Sequence, residues 1–142
     1  MSGQGDTAHV RRLASKDRFF GGLGVEVVQA EPAQIILRLR ITEAHVNFNG
    51  YCHGGVIFSL ADSAMGFASN ADGQQAVAID AHLTYSTAAR AGDVLTATAT
   101  ELTRTRRTGT YRIEVRNGEG ALVSQFTGTV YRPNKPARDE IS

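Results

Sequence analysis

Several stretches of the chain alternate apolar and polar residues with a period of two. Ile35, Leu37, Leu39 and Ile41 interleave with Ile36, Arg38 and Arg40, the pattern of a strand with one buried face. Ahead of them the β-branched run 23–30 ends at Glu31-Pro32, which predicts a hairpin partner. Val77, Ile79, Ala81, Leu83 and Tyr85 alternate with Asp80, His82, Thr84 and Ser86. Gly92-Asp93 then turns the chain into the threonine-rich run 94–101. Tyr111, Ile113 and Val115 alternate with Arg112, Glu114 and Arg116, and Asn117-Gly118 leads into a last run at 121–131, a strong hairpin signal. Two segments have a helical period instead. Val10, Leu13, Ala14 and Phe20 predict a helix over about 7–20, capped by Asp6 or Thr7 and stopped at Gly21-Gly22. The second, Gly54–Asn70, carries apolar residues around most of its circumference, which predicts a buried helix.

The strands lie too close together in sequence for parallel crossovers. An antiparallel sheet with one central helix, an α+β arrangement, follows. The length of 142 residues suits one domain over 1–132 with a polar tail at 133–142, where Pro133 and Pro136 cannot donate strand hydrogen bonds. A net charge of +1 argues against a nucleic-acid or membrane-surface binder. One cysteine, Cys52, excludes an internal disulfide and a cysteine-rich zinc site. Residues 1–20 carry charges throughout and do not read as a signal peptide, and the apolar run 54–68 is interrupted by Asp62. A soluble, cytoplasmic protein is expected.

The central helix holds the candidate chemistry. Gly55, Ser59, Asp62, Gly66 and Ser69 step by four and three residues, so they share one small, polar face with a single carboxylate at its middle. Asp62 is either a structural aspartate bonded to a neighbour such as Ser59, or a catalytic base or nucleophile in a partly desolvated cleft. Just upstream, His53-Gly54-Gly55 opens the helix. Unpaired amides at a positive helix end, with no side chain in the way, suit an anion or oxyanion site, whereas a glycine pair taken alone reads as a tight entry turn. Asp62 lies eight residues past Gly54, roughly 12 Å along the axis at about 1.5 Å per residue. One substrate carbonyl cannot touch both groups of one helix. If both act together they come from two protomers, which predicts an antiparallel helix pair and composite sites. Cys52 is a weaker nucleophile candidate, with His53 as its only nearby base. His45 and His82 have no second ligand at metal-binding spacing, so no metal is expected, and His9 reads as exposed.

Asn47, the run His53-Gly54-Gly55-Val56-Ile57-Phe58-Ser59-Leu60-Ala61-Asp62, and Tyr85 followed by Arg90-Ala91-Gly92-Asp93 resemble the hotdog-fold acyl-CoA thioesterases. Within them the likeness is to the phenylacetic-acid-degradation (PaaI-type) group, and it runs from about Asp17 to Tyr131. The resemblance implies a curved antiparallel sheet wrapped around a long central helix, paired into homodimers and usually into tetramers of two dimers. It implies Asp62 as nucleophile or as base activating water, and the Gly54 amide as receiver of the thioester oxygen. Asn47 orients the carbonyl or the water, and His53 has a supporting role. A hydroxyl that some relatives place on the following strand falls at Ala78 and is missing here. Substrate contacts are implied at Gly55 and Tyr85, with coenzyme A phosphates met by Arg90, Arg104 and Arg106. Coenzyme A enters as part of the substrate, so no separate cofactor is expected. The implied reaction is hydrolysis of an aryl-acetyl or hydroxyphenylacetyl thioester. Two other readings compete with it: a hydratase or dehydratase of 3-hydroxyacyl thioesters, and a non-catalytic acyl-CoA-sensing module.

Overall fold

The computed structural model describes residues 7–31 and 34–136. The proposed Asp6 cap, Pro32 and the end of the polar tail lie outside the described residues. The chain runs α1 (Thr7–Lys16), α2 (Arg18–Leu23), β1 (Glu26–Glu31), β2 (Gln34–Arg40), a 3-10 turn at Glu43–His45, α3 (Gly54–Asn70), β3 (Val77–Tyr85), β4 (Val94–Arg104), β5 (Thr108–Arg116) and β6 (Leu122–Tyr131). All strands pair antiparallel in one sheet of order β1-β2-β4-β5-β6-β3. This curved sheet and its central helix are the α+β hotdog architecture that the sequence predicts.

Period-two burial explains the core. Ile35, Leu37 and Leu39 of β2, Leu95, Ala97 and Ala99 of β4, and Tyr111, Ile113 and Val115 of β5 all bury one face. Against it lie Ile57, Leu60, Ala61, Ala64, Met65 and Phe67 of α3. Gly128 on β6 lets the helix approach, because a Cβ there would lie 2.5 Å from the Met65 sulfur.

Five expectations are corrected. The N-terminal helix is two helices: Asp17 breaks it and caps α2, its carboxylate accepting from the Phe20 N–H at 3.0 Å. Gly21 and Gly22 fall inside α2, and the left-handed stop is Gly24 (φ 86°). His9 is 8% exposed and not a surface residue. Ser69 is fully buried, its hydroxyl donating to the Gly66 carbonyl, so the open stripe of α3 is Gly55, Ser59, Asp62 and Gly66. The β3 alternation is also interrupted, because a bulge between Ala78 and Asp80 puts Ala78 opposite Val130 and leaves Ile79 unpaired. As the sheet edge, β3 stays open on both faces, with Val77, Ile79 and Tyr85 exposed. Residues 133–136 fold back onto the loop after α3, where the Gln75 N–H donates to the Lys135 carbonyl.

Candidate active site

Two local devices deliver the chain to the start of α3. Asn47 folds its own loop: its Oδ1 accepts from the Asn49 and Tyr51 N–H groups at 2.9 and 3.2 Å. Gly50 completes the turn at φ 83°, where a side chain would be strained. The Asn47 oxygen is thereby spent, and its Nδ2 has no partner among the described residues, leaving a donor available. The second device is His53, the N-cap of α3, held by its N–H to the His45 carbonyl at 2.8 Å. His45 is itself buried and tied at both ring nitrogens, to the Thr42 N–H and the Leu23 carbonyl.

The cap sorts the amides of the first turn. His53 Nδ1 accepts from the Gly55 N–H at 2.9 Å, and the His53 carbonyl accepts from the Val56 and Ile57 N–H groups at 3.0 and 3.4 Å. The Gly54 N–H is left without a partner among the described residues, at the positive end of a buried helix. The same cap puts the proton of the neutral His53 ring on Nε2, so His53 can donate but does not serve as a base through Nδ1. Tyr85 closes over Gly54 from β3, its hydroxyl donating to the Gly54 carbonyl at 2.9 Å. A Cβ on Gly54 would meet the Tyr85 hydroxyl at 3.0 Å, tighter than an ordinary contact.

A cleft of about 560 Å³ opens beside these groups, lined by Tyr51–Gly55, Ile57 and Tyr85–Ala89. Cys52 lines it, but burial and then the nearby Asp93 charge push its thiol up to about 11, which makes a poor nucleophile. A second cleft of about 670 Å³ adjoins it through Thr87 and Ala88. Arg90 stands at that second cleft, its Nη2 donating to the Tyr51 hydroxyl at 3.2 Å and its guanidinium 4.9 Å over the Tyr51 ring.

Asp62 lies two turns further along α3 and lines neither cleft. It is half-buried and makes no hydrogen bond or ion pair among the described residues. Ser59, the proposed structural partner, instead donates its hydroxyl to the Gly55 carbonyl at 2.7 Å. Burial, and secondarily the charge of Asp17, raise the Asp62 carboxyl above the ordinary range.

Of the arginines, Arg106 is exposed in the β4–β5 turn. Arg104 sits at the opposite end of α3 from Gly54, paired with Asp72 and, at 3.0 Å, with Glu101. Asp72 also binds the buried Arg132 at 2.6 Å. That network was invisible to a reading of neighbours in sequence, because Asp72 and its two arginines lie 32 and 60 positions apart.

Comparison with known proteins agrees with this geometry. Residues 49–124 match the thioesterase superfamily model. The chain is 34% identical over 110 residues to acyl-coenzyme A thioesterase PaaI of Escherichia coli, covering 78% of this chain and 79% of that one. The structure of the E. coli PaaI protein, from the phenylacetic acid degradation operon, superposes with a TM-score of 0.86 at 30% identity, covering 92% and 97% of the two chains. A mutant of the phenylacetic acid degradation protein PaaI of Thermus thermophilus gives 0.78 at 40% identity, covering 82% and 99%. With the sheet, the glycine-opened helix and these likenesses in agreement, the chain belongs to the thioesterase superfamily as a hotdog-fold acyl-CoA thioesterase of the PaaI type.

Proposed function

We propose that the chain hydrolyses an aryl-acetyl-CoA thioester at a site shared by two protomers. The observation that carries this is the separation of the two reactive groups along one helix. The unpartnered Gly54 N–H opens onto the cleft at the start of α3, whereas Asp62 is two turns away and outside it. One protomer then supplies the Gly54 N–H, Asn47 and His53, and the other supplies Asp62. The open edge strand β3, with Val77, Ile79 and Tyr85 exposed, supports pairing of two sheets edge to edge. That homodimer is the minimal active unit, with a dimer of dimers as the proposed assembly.

In this scheme the Gly54 N–H donates to the thioester oxygen, and the helix dipole stabilises the charge that develops there. The Asp62 carboxylate attacks the carbonyl carbon to form a mixed anhydride that water then hydrolyses to the free acid, or it takes the proton of a water that attacks the carbonyl carbon directly. The C–S bond breaks and coenzyme A leaves as its thiolate. A simple thiol has a pKa near 8.5, so this leaving group needs little help from an acid. Asn47 Nδ2 and His53 Nε2 are the remaining donors that orient carbonyl and water. Arg90 and Arg106 are the cations proposed to meet the coenzyme A phosphates. Arg104 joins them through the part of its side chain left exposed, 28%, by its ion pairs. The aryl-acetyl preference rests on the relatives from phenylacetic acid degradation, and a cytoplasmic setting on the single unpaired thiol of Cys52.

Thiol release from phenylacetyl-CoA, followed with a thiol dye, tests the reading. Wild type should turn over, and Asp62→Asn should be at least about a hundredfold slower, the scale of a lost general base. No release from any acyl-CoA would favour the sensing module.

A further inference from the structure

Tyr51 and Arg90 come together from segments 39 positions apart. The Cys52 N–H donates to the Ala89 carbonyl at 2.7 Å, so the two segments are tied at the neighbouring residues. The Arg90 Nη2 donates to the Tyr51 hydroxyl at 3.2 Å, and its guanidinium lies 4.9 Å from the centre of the Tyr51 ring. One such contact is an ordinary resting place for a long surface side chain. Two together, one to the oxygen and one to the ring face, leave the guanidinium few other positions.

Of the pair, Tyr51 is the fixed partner. Its N–H donates to Asn47 Oδ1 at 3.2 Å, and its carbonyl accepts from the Asn47 N–H at 2.8 Å. The Arg90 backbone is set as well: its N–H donates to Asp93 Oδ2 at 2.8 Å and its carbonyl accepts from the Asp93 N–H at 3.0 Å. What is left to order is the Arg90 side chain. It forms no ion pair among the described residues. The Asp93 carboxylate lines the same cleft, but it is bonded to the Arg90 N–H and not to the guanidinium. Of the five guanidinium donors, only the one on Tyr51 is engaged among the described residues.

Tyr51 lines the cleft onto which the Gly54 N–H opens, beside Ile57, Ala88 and Ala89. Arg90 lines the second cleft, with Asn117 and Glu119. The two clefts share Thr87 and Ala88, so the pair bridges an apolar compartment and a polar one. We propose that Tyr51 is a positioning residue for the phosphate end of the substrate: its ring and hydroxyl hold the Arg90 guanidinium ready where the two clefts meet. An exposed arginine gives up rotamer freedom when it grips an anion, and one held in place beforehand binds more tightly. The inference rests on Arg90 meeting a coenzyme A phosphate, and it deepens that reading by naming what orders the cation.

Tyr51→Phe removes the hydroxyl and keeps the ring. It is compared with Arg90→Gln and with the double variant, each as the full chain. Coenzyme A affinity is measured by calorimetry at fixed ionic strength, and KM on phenylacetyl-CoA and on phenylacetyl-pantetheine, which has the same acyl thioester and no phosphate. Arg90→Gln should weaken coenzyme A about tenfold, the scale of a lost charge-assisted bond, and Tyr51→Phe about threefold. The double variant should bind no more weakly than Arg90→Gln alone. KM for phenylacetyl-CoA should rise in step, and KM for phenylacetyl-pantetheine should not. If Arg90→Gln weakens coenzyme A while Tyr51→Phe does not, or if the two losses add, the inference is overturned and the phosphate contact stands. An equal rise in KM on both substrates in Tyr51→Phe also overturns it, since Tyr51 is then a wall of the cleft. Unchanged affinity in Arg90→Gln removes the phosphate contact itself, and the inference with it. Coupled losses of affinity in a protein that releases no thiol uphold the inference and overturn the hydrolysis.

Discussion

Replacing Asp72 by alanine removes the carboxylate that, among the described residues, is bonded to Arg132. The Arg132 side chain is 4% exposed, and the Asp72 side chain 7%. After the change Arg132 keeps the Gln74 side chain at 2.9 Å and a long contact to the Ser69 carbonyl at 3.5 Å, both neutral. Its Nε is buried without a partner among the described residues even before the change. Breaking a buried pair by removing one partner costs about 3–5 kcal/mol. The two remaining acceptors, and the freedom of Arg104 to turn to solvent, favour the low end. About 3 kcal/mol corresponds to a fall of roughly 10 °C in Tm for a domain of this size. Urea unfolding and thermal melts at fixed protein concentration measure it. Asp72→Leu combined with Arg132→Met should recover most of the loss, because no orphaned charge remains. The pH dependence has a definite sign. Burial opposes the Asp72 charge, but the Arg132 hydrogen bond, the Gln74 N–H and the two arginine charges outweigh it and hold the carboxyl below its ordinary value. Its stabilisation is therefore complete above the unfolded value near 3.9 and is lost as pH falls through the lower folded value. The gap between wild type and Asp72→Ala should be flat from pH 7 to 5 and shrink on further acidification. A gap under about 1 kcal/mol, or one that widens in acid, would refute the reasoning.

Gly54→Ala keeps the N–H but pushes a methyl group to 3.0 Å from the Tyr85 hydroxyl. Overpacking of this kind costs about 1–3 kcal/mol, and kcat/KM should fall, with partial recovery when Tyr85→Ser is added; equal activity of Gly54→Ala and wild type would count against the close approach. With its thiol at about 11 in place of the ordinary 9.0, Cys52 should react with iodoacetamide at pH 7.5 on the order of a hundredfold more slowly than a free thiol. Rapid alkylation, or loss of activity in Cys52→Ala, would reinstate it as a nucleophile.

The residues foretold the fold well because its elements are built from local rules. The Gly54–Asn70 helix and the strands carrying Leu37, Ile113 and Phe126 follow from apolar spacing, since each packs against a continuous apolar face. What stayed hidden was non-local. The exposure of β3 depends on its place at the edge after a crossover, and its alternation in sequence is the same as that of a buried strand. The tie of Arg104 to Asp72 depends on where α3 ends relative to β4. His9 and Ser69 are polar residues that the packing buries against their composition. At the site, the helix start was legible because caps are local: His53, Gly54 and Gly55 are consecutive. The half-burial of Asp62 was not, since it depends on how the rest of the chain packs around α3.

The shared site is tested most directly by combining two damaged chains. An Asp62→Ala chain and a Gly54→Pro chain, each dimeric by size exclusion, are co-expressed with different tags and the mixed dimer is purified through both. Proline suits the first helical position but carries no N–H. Each parent should be nearly inactive on phenylacetyl-CoA, while the mixed dimer holds one intact pairing and regains about half of wild-type activity per dimer. A mixed dimer as inactive as its parents would contradict a site built from two protomers.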